Sequence, residues 1–110
     1  MAMNLSERRL ELDSVLRSIV KDRCGAENVY YQPPTGLKMK YPCIVYNRDT
    51  IRNRHADDGV YSQNVGYELT VIDTKPDSSM TAAVSALPKC AYGRHFISDN
   101  LHHDVMTVWY

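Results

Sequence analysis

Two long extended runs, residues 41 to about 54 and 60 to 73, flank the turn signal Asp57-Asp58-Gly59 and set the tightest limit on how this chain folds. In the first run Cys43, Val45 and Asn47 fall on one face and Ile44, Tyr46 and Arg48 on the other. Its first half is therefore apolar on both faces and belongs deep in a sheet. Its second half, with Arg48, Asp49, Arg52, Asn53, Arg54 and His55, is nearly all polar. The second run gains apolar density only near its far end, at Tyr67, Leu69, Val71 and Ile72. Two long strands whose shared tips are polar make a hairpin that leaves the core and projects from the domain.

Around this hairpin the periodicity predicts two helices and three more strands. Leu5, Leu12, Val15, Leu16, Ile19 and Val20 recur at spacings of three and four and line one face of a helix over residues 4 to about 23. Asn4 or Ser6 is its expected cap, Glu7 suits the first turn, Lys21 and Arg23 the last, and Gly25 the stop. Arg8, Glu11 and Arg17 are assigned to its solvated side. A short strand over 28 to 32 ends at Pro33-Pro34. Pro76-Asp77-Ser78-Ser79 opens a second helix with Asp77 or Ser78 as cap, Met80, Val84 and Leu87 inward, and Pro88 as its close. Residues 89–97 and 101–110 form a terminal hairpin. With Asp99-Asn100 as a two-residue turn, Ile97 faces His102, Phe96 faces His103 and His95 faces Asp104. The expected fold is one α+β domain, a largely antiparallel sheet with both helices packed on one face.

A length of 110 residues suits one core, and no apolar run approaches the roughly 18 residues of a spanning helix, so no membrane segment is expected. The polar start is not that of a signal peptide, which points to the cytoplasm of the cell that makes the chain. Thirteen basic and thirteen acidic residues cancel, so the charge gives no support to phosphate-driven binding of nucleic acid. Cys24, Cys43 and Cys90 are odd in number and lack CxxC spacing, which argues against a disulfide framework or zinc knuckle and leaves them as buried apolar residues. Eight tyrosines against one phenylalanine suit strands packed under loops or partly dry interfaces.

Candidate chemistry concentrates in the terminal hairpin. His95, His102 and His103 lie near Asp99, Asp104 and Cys90, but HxxxxxxHH matches no ligand spacing, and no metal or cofactor is expected. The simpler assignment makes His95 or His103, diagonal neighbours across the hairpin, a hydrogen-bonded lock. His95 and His102, with Tyr92 or Arg94 nearby, form an alternative acid and base pair in the manner of small ribonucleases. GxSxG, P-loop, HExxH and dinucleotide signatures are all absent, and no catalytic residue is assigned. On the projecting hairpin, Arg48, Arg52, Arg54 and His55 mix with Asp49, Asp57, Asp58 and Glu68, and no aromatic residue interleaves with the arginines. Mixed charge of this kind suits a protein interface or a solvated loop, and Arg48, Arg52, Arg54, His55 and Tyr61 are the expected contributors to an interface.

Several strings carry a family resemblance: Val29-Tyr30-Tyr31-Gln32-Pro33-Pro34, Tyr41-Pro42-Cys43-Ile44-Val45-Tyr46, Tyr67-Glu68-Leu69-Thr70-Val71-Ile72-Asp73 with Pro76-Asp77, and Arg94-His95-Phe96 with Asp99-Asn100-Leu101 and His103. Over residues 28–110 the chain resembles the tail completion or tail terminator proteins of long-tailed, siphovirus-like bacteriophages. The resemblance implies a non-enzymatic virion protein that assembles into a homo-oligomeric ring, commonly a hexamer, at the head-proximal end of the tail tube. Such a ring ends tube polymerisation and mediates head–tail joining. The implied partners are further copies of the chain, the tail tube protein and a head completion or connector protein, with DNA only in passage through the lumen. A head completion or other neck protein is the nearest alternative, and a small nucleic-acid-binding or RNA-cleaving domain the alternative of a different class.

Overall fold

The computed structural model describes residues 4–56 and 59–110, and the side chains of all of these except residues 55, 56 and 60–62. The order is α1 (Leu5–Cys24), β1 (Val29–Tyr31), β2 (Cys43–Ala56), β3 (Gly59–Asp73), α2 (Ser79–Ser85), β4 (Cys90–Ser98) and β5 (Leu101–Trp109). Helix α1 starts where expected: the Asn4 side chain accepts from the Glu7 backbone N–H at 2.8 Å and donates to the Glu7 carboxylate at 3.1 Å, which satisfies an otherwise orphaned helix donor. It stops at Gly25, whose left-handed φ of 79° lets its N–H reach the Lys21 carbonyl at 2.7 Å. Helix α2 is capped by Ser78, whose hydroxyl accepts from the Met80 N–H.

The five strands form one sheet in the order β1-β2-β3-β5-β4, antiparallel except where β1 runs parallel to β2. Its pairing puts Ile44 and Tyr46 of β2, Tyr67, Leu69 and Val71 of β3, and Asp104, Met106 and Val108 of β5 on one face. Both helices lie on that face. Leu12, Leu16 and Val20 of α1 and Met80 and Val84 of α2 join these strand residues in a single buried core. Each such side chain removed from water contributes roughly 1.5–3 kcal/mol, so this face holds the fold together. The fold class read from the sequence is the one observed, α+β with the helices against a largely antiparallel sheet.

The long hairpin projects. Strand β3 pairs with β5 only from Gly66 to Asp73, and β1 reaches β2 only at Ile44–Tyr46, whereas β2 and β3 stay paired with each other out to Ala56 opposite Gly59. Over residues 50–56 and 59–62 no other strand pairs with the hairpin on either edge, while at its base the Tyr110 N–H and the Arg8 guanidinium bond the Val65 and Gln63 carbonyls. The molecule measures 52 × 27 × 22 Å with a radius of gyration of 15.0 Å, against about 13 Å for a compact domain of about 100 residues. The turn residues Asp57 and Asp58 lie outside the described residues.

Two expectations are corrected. Arg8 and Arg17 are not solvated: Arg8 is buried and donates to the Gln63 carbonyl at 2.7 Å, and Arg17 is half-buried against Asp13 and the Glu27 carbonyl. Long basic side chains can bury their stems while their heads reach polar partners. Among the cysteines only Cys43 is fully buried; Cys90 is half-buried and Cys24 is exposed at the helix end. The tyrosines lie in strands as expected: Tyr46 and Tyr67 pack edge to face in the sheet core, and the Tyr30 hydroxyl of β1 accepts from the Lys40 N–H in the loop that follows it.

Candidate functional site

Three regions gather polar and exposed apolar side chains. On the projecting hairpin, Arg48, Arg52 and Arg54 are exposed; the side chains of His55 and Tyr61 lie outside the described residues. The arginines have an aromatic neighbour after all, supplied from another strand. The Arg52 guanidinium stacks 4.6 Å above the Trp109 ring of β5, where Asn64 and Lys89 complete a small cleft of about 240 Å³. No local spacing signals this contact, because Trp109 is brought beside the hairpin by the pairing of Gly66 with Trp109.

The second region is the outer strand β4, whose residues from Ala91 to Ser98 are all exposed. It forms one edge of the sheet, and Tyr92, Phe96 and Ile97 present apolar area there at 51%, 38% and 62% exposure. Exposed edge strands are templates for pairing with another chain. The turn at its end is as expected: Asp99 and Asn100 carry φ of 52° and 62°, the left-handed pair a two-residue hairpin turn needs, and the register places Ile97 opposite His102, Phe96 opposite His103 and His95 opposite Asp104. The histidine contact joins the pair named for the acid and base alternative, and not the diagonal pair. His95 meets His102, not His103, with Nε2 and Nδ1 3.1 Å apart and the rings stacked. His103 turns to the opposite face, where it stacks on Phe96 and its Nδ1 lies 3.0 Å from the Leu101 carbonyl. Facing parity decides this, since residues 95, 102 and 104 share one side of the two-stranded ribbon and 96 and 103 the other.

The third region is a groove of about 630 Å³ between the start of α2 and β4, lined by Pro76, Asp77, Ser78, Thr81, Tyr92, His95 and Asp104 among others. Asp104 forms its floor. The carboxylate accepts from the Thr81 hydroxyl at 2.7 Å and the Tyr92 hydroxyl at 2.6 Å, and the residue is only 5% exposed. Bonding to the carboxylate pushes the Tyr92 phenol pKa up. Among the described residues no group of three or more His, Cys, Asp or Glu side chains converges as a metal site would require.

Among the described residues Asp104 is one of three buried aspartates, each on an apolar phase of its element. Asp13 accepts from the Tyr46 hydroxyl at 2.6 Å and pairs with Arg17. Burial and the bond to Asp13 together push the Tyr46 phenol pKa up. Asp73 accepts from Arg23 Nε and Nη2 at 3.0 and 3.1 Å, from Ser78 Oγ at 2.7 Å and from the Lys75 N–H at 3.2 Å. Burial opposes its ionisation, but the bonds from Ser78 and Arg23 outweigh that and hold its pKa below the usual carboxylate range. The sequence placed Asp104 opposite His95 but marked none of the three as a buried acceptor. The available signal was phase: Asp13 lies three positions before Leu16, Asp73 two after Val71, and Asp104 two before Met106, all places where the pattern reserves an apolar side chain.

Taken together, these regions define an α+β domain with a hairpin projecting from the second and third of its five strands and an open edge at β4. No family model matches the chain and no curated protein is significantly similar to it. No helix among the described residues is long and apolar enough to cross a membrane.

Proposed function

We propose that this protein is a structural virion assembly component, a tail terminator that closes the head-proximal end of a bacteriophage tail tube as a homo-oligomeric ring. The observation that carries the reading is the hairpin: its distal half is paired only with itself and leaves two strand edges open, while β4 offers a third open edge across the sheet. Unpaired edges on a monomer are a liability that a neighbouring copy removes. Two different surfaces on one chain suit heterologous contacts, the kind that close into rings. The family strings noted above support a terminator over a general assembly role. In this reading the hairpin bearing Arg48, Arg52, Arg54, His55 and Tyr61 is an intersubunit arm, the ring is a hexamer, and its faces meet the tail tube protein and a head connector in the virion.

The test is light scattering with size-exclusion chromatography over a concentration series, then negative-stain imaging of any large species, alone and with purified tail tubes. A ring alone or on tube ends is the expected outcome. A chain that stays monomeric in both conditions overturns the reading.

The contact between His95 and His102 favours a second reading, an RNA-cleaving domain. The two ring nitrogens are within hydrogen-bond distance of one another, so an acid and base role requires the rings to part before a phosphodiester can enter between them. RNA hydrolysis by the wild-type protein that His95→Ala abolishes is the result this reading expects; no hydrolysis by the wild type overturns it.

A further inference from the structure

The geometry points to the α2–β4 groove as an acidic socket for an arginine of the projecting hairpin of a second copy, with Asp104 as its anion and Arg54 as the entering side chain. This deepens the ring reading above and rests on it. The three buried aspartates carry the inference. Asp13 and Asp73 each have an arginine on the carboxylate, Arg17 and Arg23. Asp104, only 5% exposed, has two hydroxyl donors and, among the described residues, no cation. A carboxylate offers about four acceptor positions, and a buried charge is ordinarily paired, so Asp104 is under-compensated beside its two counterparts.

The groove above it has room and the right sign. Its volume of about 630 Å³ lies within the roughly 300–1,000 Å³ of ordinary ligand sites. Its lining includes two carboxylates, Asp77 and Asp104, and no lysine or arginine. The neighbouring Arg94 leans away over the Phe96 ring, 5.6 Å from its centroid. Tyr92 and His95 add flat walls, and a guanidinium is suited both to forked bonding with a carboxylate and to stacking on such walls. The occupant comes from the projecting hairpin. Arg54 is exposed far out along the hairpin, opposite Ser62, whereas Arg52 is held on Trp109 and Arg48 sits at the hairpin's base, opposite Tyr67. The groove lies by β4 at one sheet edge and Arg54 lies out on the β2–β3 hairpin, so arm and socket are different surfaces of the chain, and repeating the contact in one direction from copy to copy makes it heterologous.

A charge-reversal cycle on the full chain, read by sedimentation velocity, tests this. Asp104→Asn, which keeps an acceptor for the hydroxyls, and Arg54→Glu are each expected to weaken self-association at least about tenfold, with unchanged far-ultraviolet circular dichroism. Asp77→Arg, an exposed position at the groove, is expected to weaken it similarly, and the double variant R54E/D77R to recover most of the loss, because the reversed pair meets again. If the wild type associates and shortening the hairpin abolishes association, yet these variants associate like the wild type or the double variant recovers nothing, the socket is wrong and the ring reading stands. A wild type that stays monomeric both alone and with purified tail tubes overturns both.

Discussion

Asp73 shows at the scale of one residue how a single carboxylate ties three elements together. It ends β3, holds Arg23 from the last turn of α1 through two guanidinium nitrogens, and accepts from the hydroxyl of Ser78, the residue that caps α2. Because its folded pKa is depressed, its ionised form contributes stability that is fully present above the unfolded value near 3.9 and is lost as pH falls through the lower folded value. Asp73→Asn is expected to cost about 2–4 kcal/mol near neutral pH. Urea unfolding in a pH series should show the gap to wild type narrowing below about pH 4; a gap independent of pH would contradict the assignment. The cysteines are equally specific. Burial pushes the Cys43 thiol pKa up to about 12, so it stays protonated and shielded at neutral pH, whereas Cys24 is exposed. Iodoacetamide with mass-spectrometric mapping should label Cys24 first and Cys43 only when the sheet unfolds.

At the scale of elements, the terminal hairpin was legible in detail because its turn dictates its register. Asp99-Asn100 tolerates left-handed backbone, and once those residues take the turn every cross-strand partner up to His95–Asp104 follows by counting. Counting then fails at Gly93. An extra residue there shifts the register, so that Tyr92 opposes Met106 while Arg94 opposes Val105. A Cβ on Gly93 would lie 2.9 Å from the Val105 carbonyl oxygen, a backbone atom with little freedom to yield. Gly93→Ala is therefore expected to destabilise the fold by about 1–3 kcal/mol, with amide exchange measured by NMR rising first along β4 and β5. Helix α1 was read correctly in extent and cap, but not in its polar face. Arg8 looks solvated when only the helix is considered, and the approach of β3 at Gln63 gives it a partner, while Arg17 pairs with Asp13 on its own helix and reaches the turn at Glu27.

At the scale of the whole molecule, the projecting hairpin is dispensable to the core. The buried cluster draws on β2 and β3 at Ile44, Tyr46, Val65, Tyr67, Leu69 and Val71, so the arm beyond Val65 adds length more than burial. Replacing residues 52–62 by a short turn is expected to keep cooperative thermal unfolding and to abolish oligomer formation in light scattering. A shortened chain that still assembles would remove the hairpin from the interface. The hairpin's existence was legible because apolar density fades toward both strands' shared tip. Its neighbour Trp109 was not, because that contact joins residues 57 positions apart through the β3–β5 pairing.

What the sequence by itself determined is what short-range chemistry determines: two amphipathic helices with their caps, the strand phases, the two-residue turn, and hence the α+β class with its projecting arm. Only the tertiary structure decided which aspartates became buried acceptors and that Thr81 and Tyr92 converge on Asp104 from a helix and an outer strand. A phase pattern states which side of an element a residue occupies. What it meets there depends on how separate elements stack across the sheet, and no periodicity within one element carries that information.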